Sequence, residues 1–255
     1  MIRRSTLLLA ALLATIALAQ DRRALDSPRL ETISRRYLGV RYQLDPLGEE
    51  RGPDRDPLFT RACVDCQTLV EQVLAEALAG DDPQAIRGWM RRLRHRGGDP
   101  RLETRFHYPV PDWLEHPWPA RDVTVSVGGE GTAQVTRTHA LGALITGRGG
   151  DPAPAGPATR RVTASYIPWA RLAQVQSRVP DGAIGCFVAR REDLVVGHVG
   201  FLFQRSGTLV LRHGSTTQHA VVDQPLDDWL AAGGRRRFLG VIVLQPTLSG
   251  LDRDG

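Results

Sequence analysis

Apolar residues recur every three or four positions in the first hundred residues, as they do on the buried face of a helix. One such series follows Asp65, a good N-cap residue, and stops before Gly80, which stands where a C′ glycine ends a helix. Its members are Leu69, Val70, Val73, Leu74, Ala77 and Leu78. The pattern predicts a helix between these caps, and serine–proline and aspartate–proline starts predict two more, over about 27–37 and 83–94.

The last third of the chain changes to short apolar runs and two-residue alternation, which are typical of strands. Strands are predicted near 183–189, 195–203, 208–213, 220–223 and 238–244. A short helix is predicted at 226–232. Alternation over 122–127 and 132–138, on either side of a glycine-rich stretch, predicts a separate hairpin. Helices first and strands afterwards predict an α+β fold, with N-terminal helices packed on a C-terminal antiparallel sheet.

The first twenty residues have the layout of a secretory signal peptide. Arg3-Arg4 form a basic start, residues 7–18 form an apolar core, and Ala17-Leu18-Ala19 is a small-x-small cleavage site. An uncleaved anchor is the alternative, but the apolar run is short for a membrane span. We therefore predict a signal peptide over 1–19 and a single domain over 20–255. The mature protein is expected to be periplasmic or secreted, with no membrane contact after cleavage.

Composition and charge indicate which classes of partner the protein binds. The 255-residue chain has a formal net charge of +5, and every Lys-or-Arg position in it is an arginine. These charges are spread along the sequence, which argues against a nucleic-acid groove, whereas a mildly basic exported protein is attracted to anionic cell-wall polymers. The chain also has no asparagine, so no asparagine can orient a catalytic histidine.

Cysteine chemistry is the strongest functional signal. Cys66 stands at the start of a predicted helix, where unpaired backbone N–H groups and the helix dipole stabilise negative charge. This position predicts a lowered thiol pKa and a nucleophilic sulfur.

The other cysteines leave alternatives open. Cys63 and Cys66 form a C-x-x-C pair, and with Cys186 the chain has three cysteines, so at most one intramolecular disulfide can form. A redox pair would follow a βαβ unit, which the pattern lacks, and a zinc site needs two further ligands. We therefore predict no metal and no cofactor. Cys63 is an idle neighbour, a disulfide partner or a redox brake, and Cys186 is predicted to be a buried small hydrophobe.

Two histidines lie in the predicted strands. If residues 204–207 form a four-residue hairpin loop, Phe203 pairs with Thr208 and His198 lies directly opposite His213. Opposed residues share a face with Cβ atoms about 5 Å apart, whereas a slip by one residue would separate them. The arrangement predicts Cys66 as nucleophile, His198 as general base and His213 as the group that orients it. Backbone N–H groups at the helix start would contribute to an oxyanion hole.

These residues carry a family resemblance. Val64-Asp65-Cys66 opening a helix, His198-Val199-Gly200 in a strand, and a second strand ending in His213 resemble the NlpC superfamily of cell-wall cysteine hydrolases. Further matches in order along the chain are similar to its AmiA-like N-acetylmuramoyl-L-alanine amidases. They are Leu38-Gly39-Val40-Arg41-Tyr42, Pro46-Leu47-Gly48-Glu49, Asp54-Arg55-Asp56-Pro57-Leu58, Arg105 with His107-Tyr108, and Asp112-Trp113-Leu114.

The resemblance implies a papain-like α+β fold and a triad of Cys66, His198 and His213. It implies hydrolysis of the amide between N-acetylmuramic acid, in its 1,6-anhydro form, and L-alanine of peptidoglycan fragments. Tyr42 would line the nucleophile's side of the cleft. A long insertion at about 81–165, between nucleophile and histidine, would narrow the substrate site.

Substrate contacts are expected from the insertion. Arg105, His107 and an exposed Trp113 would form a sugar-and-carboxylate subsite, or would only support the insertion. Glu71, one turn after the nucleophile, is either a ligand contact or half of a structural ion pair. The chain has Phe106 where the family tends to have asparagine, which leaves a polar contact open.

Two other functions are compatible with the same residues. An endopeptidase of the same superfamily would cut within the stem peptide. A non-catalytic module would bind peptidoglycan without turnover.

Overall fold

The computed structural model describes residue 25 and residues 27–252. Its α-helices are α1 Ser27–Arg35, α2 Cys66–Ala79, α3 Pro83–Arg94, α4 Pro109–Glu115, α5 Thr124–Gly128, α6 Leu141–Gly147, α7 Trp169–Val175, α8 Leu226–Trp229 and α9 Arg235–Arg237. Its strands are β1 Arg41–Tyr42, β2 Cys63–Val64, β3 Ala120–Asp122, β4 Ala133–His139, β5 Arg160–Pro168, β6 Ala183–Ala189, β7 Val196–Arg205, β8 Thr208–Ser215, β9 Ala220–Pro225 and β10 Phe238–Pro246.

The strands form one sheet in the order β2-β1-β9-β8-β7-β6-β10-β5-β4, with β3 paired to β10. All pairs are antiparallel except β1 with β2. The chain therefore combines helices with a largely antiparallel sheet, as predicted. The N-terminal part also contributes two short strands to one edge, which the alternation did not reveal.

Both faces of the central strands are buried. On β6, Ile184, Cys186 and Val188 belong to the core cluster that contains α1, α2 and α3. The intervening Ala183 and Phe187 belong to a second cluster under α5, α7 and α8. Because side chains alternate across a strand, the sheet is covered by one helical layer on each face.

The predicted hairpin at 122–138 is wrong. The Asp122 carboxylate accepts the N–H of Thr124 at 2.8 Å. Helix α5 begins there, where the first strand of the hairpin was predicted. Val123 and Val127, four residues apart, are buried, while Val125 is 58% exposed, which is helical spacing. Strand β4 pairs with β5, a strand that the pattern did not predict.

The predicted register of the β7–β8 hairpin is also wrong. Its turn has two residues, Ser206 and Gly207, both with positive φ, 49° and 82°; this is the backbone of a two-residue hairpin turn. Phe203 therefore pairs with Val210, not Thr208. The error is two residues, one full pleat, so the histidines predicted to share a face still do.

The predicted signal peptide and the predicted insertion differ in how far the structure describes them. The predicted signal peptide at 1–19 lies outside the described residues. Within residue 25 and residues 27–252, no helix is long and apolar enough to span a bilayer. The segment predicted as an insertion, 81–165, carries α3 to α6 together with β3, β4 and most of β5.

Candidate active site

Cys66 is the first residue of α2, as predicted, and a complete capping box fixes this helix start. The Asp65 carboxylate accepts the backbone N–H of Thr68 at 2.7 Å. The Thr68 hydroxyl accepts the backbone N–H of Asp65 at 2.9 Å. Reciprocal caps of this kind satisfy two otherwise unpaired donors. The second oxygen of Asp65 accepts the N–H of Asp45 at 3.1 Å, so the preceding loop is tied to the same cap.

The Cys66 thiol is half-buried between this helix start and the sheet. The backbone N–H of Val199, the residue after His198, is directed at its sulfur. A Cβ on Gly214 would lie 3.2 Å from the Asp65 carbonyl carbon and 3.2 Å from Cδ2 of Tyr42. Strand β8 thus approaches the α2 N-terminus closely, because the residue after His213 has no side chain.

The expected lowering of the thiol pKa is wrong. Burial, aided by the adjacent Asp65 carboxylate, raises the pKa of Cys66 to about 12. The N–H groups of Val199, Gln67 and Cys66 itself act in the opposite direction and do not outweigh burial. Desolvation penalises the charged form of an enclosed group more than a few backbone dipoles stabilise it. The resting thiol is therefore neutral at physiological pH.

His198 and His213 meet through their ring nitrogens. The distance between Nε2 of His198 and Nδ1 of His213 is 2.8 Å, and the two rings are perpendicular. Nε2 of His213 lies 2.9 Å from the amide oxygen of Gln224. Because that oxygen only accepts, Nε2 of His213 carries a proton and Nδ1 accepts the Nε2–H of His198. The chain of bonds leaves Nδ1 of His198 as its unprotonated nitrogen.

Gln224 is a member of the site that the sequence did not reveal. It lies at the end of β9, just beyond the predicted strand, and pairs with Leu211 of β8. Its side chain shares a face with His213 because the two are diagonal neighbours across the β8–β9 ladder. Extending the predicted strand by one pleat would have shown this placement.

The close packing of β7 against β8 requires a glycine at position 200. Gly200 of β7 lies where a Cβ would be 2.9 Å from Cβ of His213 and 2.8 Å from the Arg212 carbonyl oxygen. Such distances are far inside van der Waals contact. The hydrogen-bonded ladder of β7 and β8 ends at Phe201 and Arg212. The two imidazoles therefore lie at a close approach of β7 and β8, just beyond the end of the regular hydrogen-bonded ladder.

Burial keeps both imidazoles neutral. Burial lowers the pKa of His198 well below its ordinary value, and the neighbouring His213 and Arg237 lower it further. Burial also lowers the pKa of His213, although its bond to Gln224 opposes this shift. The His198 ring stacks on Trp229 at 5.6 Å between ring centroids. The sequence did not single out Trp229 or Arg237, which line a cavity of about 110 Å³ beside the two histidines.

A larger cavity of about 290 Å³ lies at the other side of the helix start, where Asp65, Gln67 and Thr68 form its wall. Arg105 and His107 line it. The imidazole of His107 donates to the Leu102 carbonyl at 2.9 Å, and burial lowers its pKa to about 3. His107 is therefore neutral in this cavity.

Arg105 is held by three carboxylates. Its guanidinium contacts Glu49 at 2.6 Å, Asp54 at 2.5 Å and Asp45 at 3.3 Å. Asp45, at a positive φ of 50°, also pairs with Arg148 from the insertion. The arginines of this cavity are thus pre-positioned, with much of their charge already compensated.

Tyr42 lies beside Cys66. Burial raises the pKa of its phenol to about 12, and the proximity of Cys66 and Asp65 contributes to the shift. Its ring is half-buried on β1 next to Gly214. The structure thus places Tyr42 beside Cys66 and joins His198 to His213, and the N–H of Val199, next to His198, is directed at the Cys66 sulfur.

The substrate contacts expected of Glu71 and Trp113 are wrong, and the structural alternative left open for each of them holds. Glu71 is 0% exposed, pairs with Arg94 at 2.8 Å, and accepts from the Gln67 amide at 2.9 Å. Trp113 is 0% exposed and stacks on Trp118 at 4.1 Å. Neither side chain has surface to offer a ligand, because the core that anchors the insertion encloses both.

The three cysteines are free thiols. Cys186 is buried in the core, as predicted, and Cys63 is buried at the start of the α2 segment. Within the part of the chain that the structure describes, no three His, Cys, Asp or Glu side chains are grouped to hold a metal ion.

Comparison with known proteins finds one family model that matches most of the chain. Residues 32–234 match the model of the AmiA-like family, described as N-acetylmuramoyl-L-alanine amidase-like. No curated protein matches the chain.

Solved structures share the fold. A Legionella pneumophila protein of the DUF1460 family is 20% identical with a TM-score of 0.77, covering 91% of this chain and 92% of its own. An N-acetylmuramoyl-L-alanine amidase from Bacteroides uniformis is 24% identical with a TM-score of 0.69, covering 87% and 98%.

Proposed function

Because this chain belongs to the AmiA-like, N-acetylmuramoyl-L-alanine amidase-like family, we propose that it is a cysteine amidase acting on peptidoglycan fragments. The bond cleaved is the amide between the lactyl group of N-acetylmuramic acid, in its 1,6-anhydro form, and L-alanine. The hydrogen-bonded series His198, His213 and Gln224 beside the Cys66 helix start is the observation that carries the proposal. The fold is proposed to be papain-like, of the NlpC type.

The first step forms a tetrahedral adduct, which becomes a thioester when the amine leaves. Nδ1 of His198 takes the thiol proton of Cys66 as the sulfur attacks the lactyl carbonyl carbon. Since the thiol and the imidazole are both neutral at rest, the charged pair exists only as the attack proceeds. N–H groups at the α2 start are the proposed donors to the developing oxyanion.

The second step frees the sugar acid. His198 gives its proton to the alanine nitrogen, and the amine leaves. Water then attacks the thioester while His198 again takes a proton, and the products are the muramic acid carboxylate and the Cys66 thiol. His213, held by Gln224, keeps the proton on Nε2 of His198, so that Nδ1 stays available throughout.

The cavity lined by Arg105 and His107 is the proposed subsite for the sugar, with Tyr42 as the wall of the cleft on the nucleophile's side. Two features support this assignment: the cavity adjoins Asp65 and Gln67 on either side of Cys66, and its volume is about 290 Å³. Arg148, which shares Asp45 with Arg105, offers a further cation to the lactyl carboxylate that hydrolysis frees. The residues at 1–19 make export and action in the cell envelope part of the proposal.

A defined anhydro-muropeptide separates this function from its alternatives. Incubation with the wild-type protein is expected to release anhydro-N-acetylmuramic acid and intact stem peptide, measured by liquid chromatography with mass detection. Cys66→Ala should abolish release, and chelator should leave it unchanged.

The other outcomes are equally distinct. Products cut within the stem peptide would assign an endopeptidase, and binding without products would assign a non-catalytic module. Full activity of Cys66→Ala would exclude the thiol mechanism.

A further inference from the structure

A further cavity, of about 340 Å³, is lined by none of the residues proposed to bind or cleave the amide. It lies around the C-terminal half of α3, where Trp89, Arg92 and His95 meet Phe106, His116 and Leu251. Its volume falls within the range of about 300–1,000 Å³ that is usual for small-molecule sites.

Aromatic rings form two sides of this cavity. Phe106 and His116 stack with 5.0 Å between ring centroids. The Trp89 ring is partly exposed, and the guanidinium of Arg92 lies 5.3 Å from its centroid. Flat aromatic faces beside polar groups suit a ligand that has one apolar ring face and a polar periphery.

The cavity is cationic. No Asp or Glu belongs to its lining. Among the described residues, no carboxylate is within ion-pair distance of Arg92. Within the described part of the chain, the hydrogen bonds of Arg96 at the rim go to the carbonyls of Glu103 and Ala155. An anionic ligand group would find an available guanidinium here.

His95 adds an unmet acceptor. It is 1% exposed, and its Nδ1–H donates to the Arg101 carbonyl at 3.3 Å. Burial lowers its pKa to about 2, so Nε2 carries a lone pair. Among the described residues that atom has no hydrogen-bond partner, and buried polar atoms without partners call for an explanation. A ligand hydroxyl or amide N–H would supply the missing donor.

We propose that this cavity binds a saccharide ring that carries a carboxylate. The ring lies against Trp89, the carboxylate pairs with Arg92, and a hydroxyl or amide N–H donates to His95. Muramic acid freed of its peptide is the unit of peptidoglycan that has these features, because hydrolysis of the amide exposes its carboxylate, and this choice of sugar rests on the proposed function. Phe106 lines both this cavity and the proposed amidase subsite, so the two sugar sites would adjoin.

Trp89 itself provides the assay. The other four tryptophans, Trp113, Trp118, Trp169 and Trp229, are at most 7% exposed. We would titrate Cys66→Ala protein with N-acetylmuramic acid and with N-acetylglucosamine, which lacks the carboxylate, and record tryptophan emission. The emission change should disappear in Trp89→Phe. The muramic acid should bind about tenfold more tightly, as one charge-assisted hydrogen bond predicts.

A matched pair of surface variants tests the carboxylate contact. Arg92→Gln should remove the preference for N-acetylmuramic acid. Arg91→Gln should keep it, because Arg91 is exposed on the same helix but lies outside the cavity. Equal affinities for the two sugars, no emission change, or an unchanged preference in Arg92→Gln would overturn the proposal. So would an emission change that persists in Trp89→Phe. All titrations use inactive protein, so they remain readable if the amidase assay fails.

Discussion

The neutral resting thiol leads to a prediction about Cys66 reactivity. An ordinary thiol pKa is 9.0, and burial raises that of Cys66 to about 12. Near neutral pH, three pKa units make the thiolate fraction about a thousandfold smaller than in an unperturbed cysteine. Alkylation of native Cys66 by iodoacetamide should therefore be slow at about pH 7.5, and its rate should still be rising at about pH 10.

The measurement is a pH series of alkylation rates, with the modified residue located by peptide mass mapping. Urea-unfolded protein is the reference, because unfolding returns the thiol to water and to its ordinary pKa. Cys63 and Cys186 are 7% and 0% exposed, so labelling of the native protein should be confined to Cys66.

His198→Ala is the decisive control. If no thiolate–imidazolium pair exists at rest, this variant should label with the same pH midpoint as the wild type, although it should be inactive. A rate plateau with a midpoint below about pH 8, or a midpoint that rises in His198→Ala, would show a preformed ion pair. Either result would refute the reasoning from burial.

Three further predictions concern the groups around the reacting atoms. Gln224→Leu should lower kcat about 10–100-fold with little change in KM, because the His213 tautomer loses its acceptor; steady-state kinetics would check this, and Gln224→Glu should restore part of the rate. Arg237→Gln should raise the pKa of His198, since Arg237 lowers it; the acid limb of the kcat/KM profile should move to higher pH, and an unmoved limb would contradict this electrostatic role. Arg94→Met should cost about 3–5 kcal/mol in urea unfolding at about pH 8, because Glu71 stays buried without its partner. This loss should shrink as falling pH protonates Glu71, whose pKa burial already raises to about 7, and adding Glu71→Gln should recover most of it.

Local chemistry made much of the fold predictable. The Asp65 cap, the Gly80 stop and the strands predicted at 183–189 and 238–244 were readable because neighbouring residues determine them. The hairpin at 122–138 was not, because Val123, Val125 and Val127 fit alternation as well as a single helical turn. Which pattern prevails depends on a distant partner, since β4 pairs with β5 instead.

The pairing of the two histidines could be predicted because it does not depend on the exact strand register. His198 and His213 meet although their register was misjudged, because a two-residue error preserves the face. Trp113 and the Cys66 pKa were misjudged for a shared reason: both depend on how many atoms surround a side chain. Enclosure results from the packing of the 81–165 segment and the sheet, and no local pattern of residues reports it.

The order of strands has a consequence for the timing of activity. β1 joins the sheet through β9, where Arg41 pairs with Ala220, and the proposed nucleophile, Cys66, depends on groups at 198, 213 and 224. Contacts this distant in sequence form late and slow folding. During synthesis, the helix that carries Cys66 emerges well before the proposed proton acceptor, and a chain shorter than about 224 residues lacks part of the proposed site. For the proposed amidase, the topology therefore acts as a completion check: the site is assembled only after the chain has been made through β9.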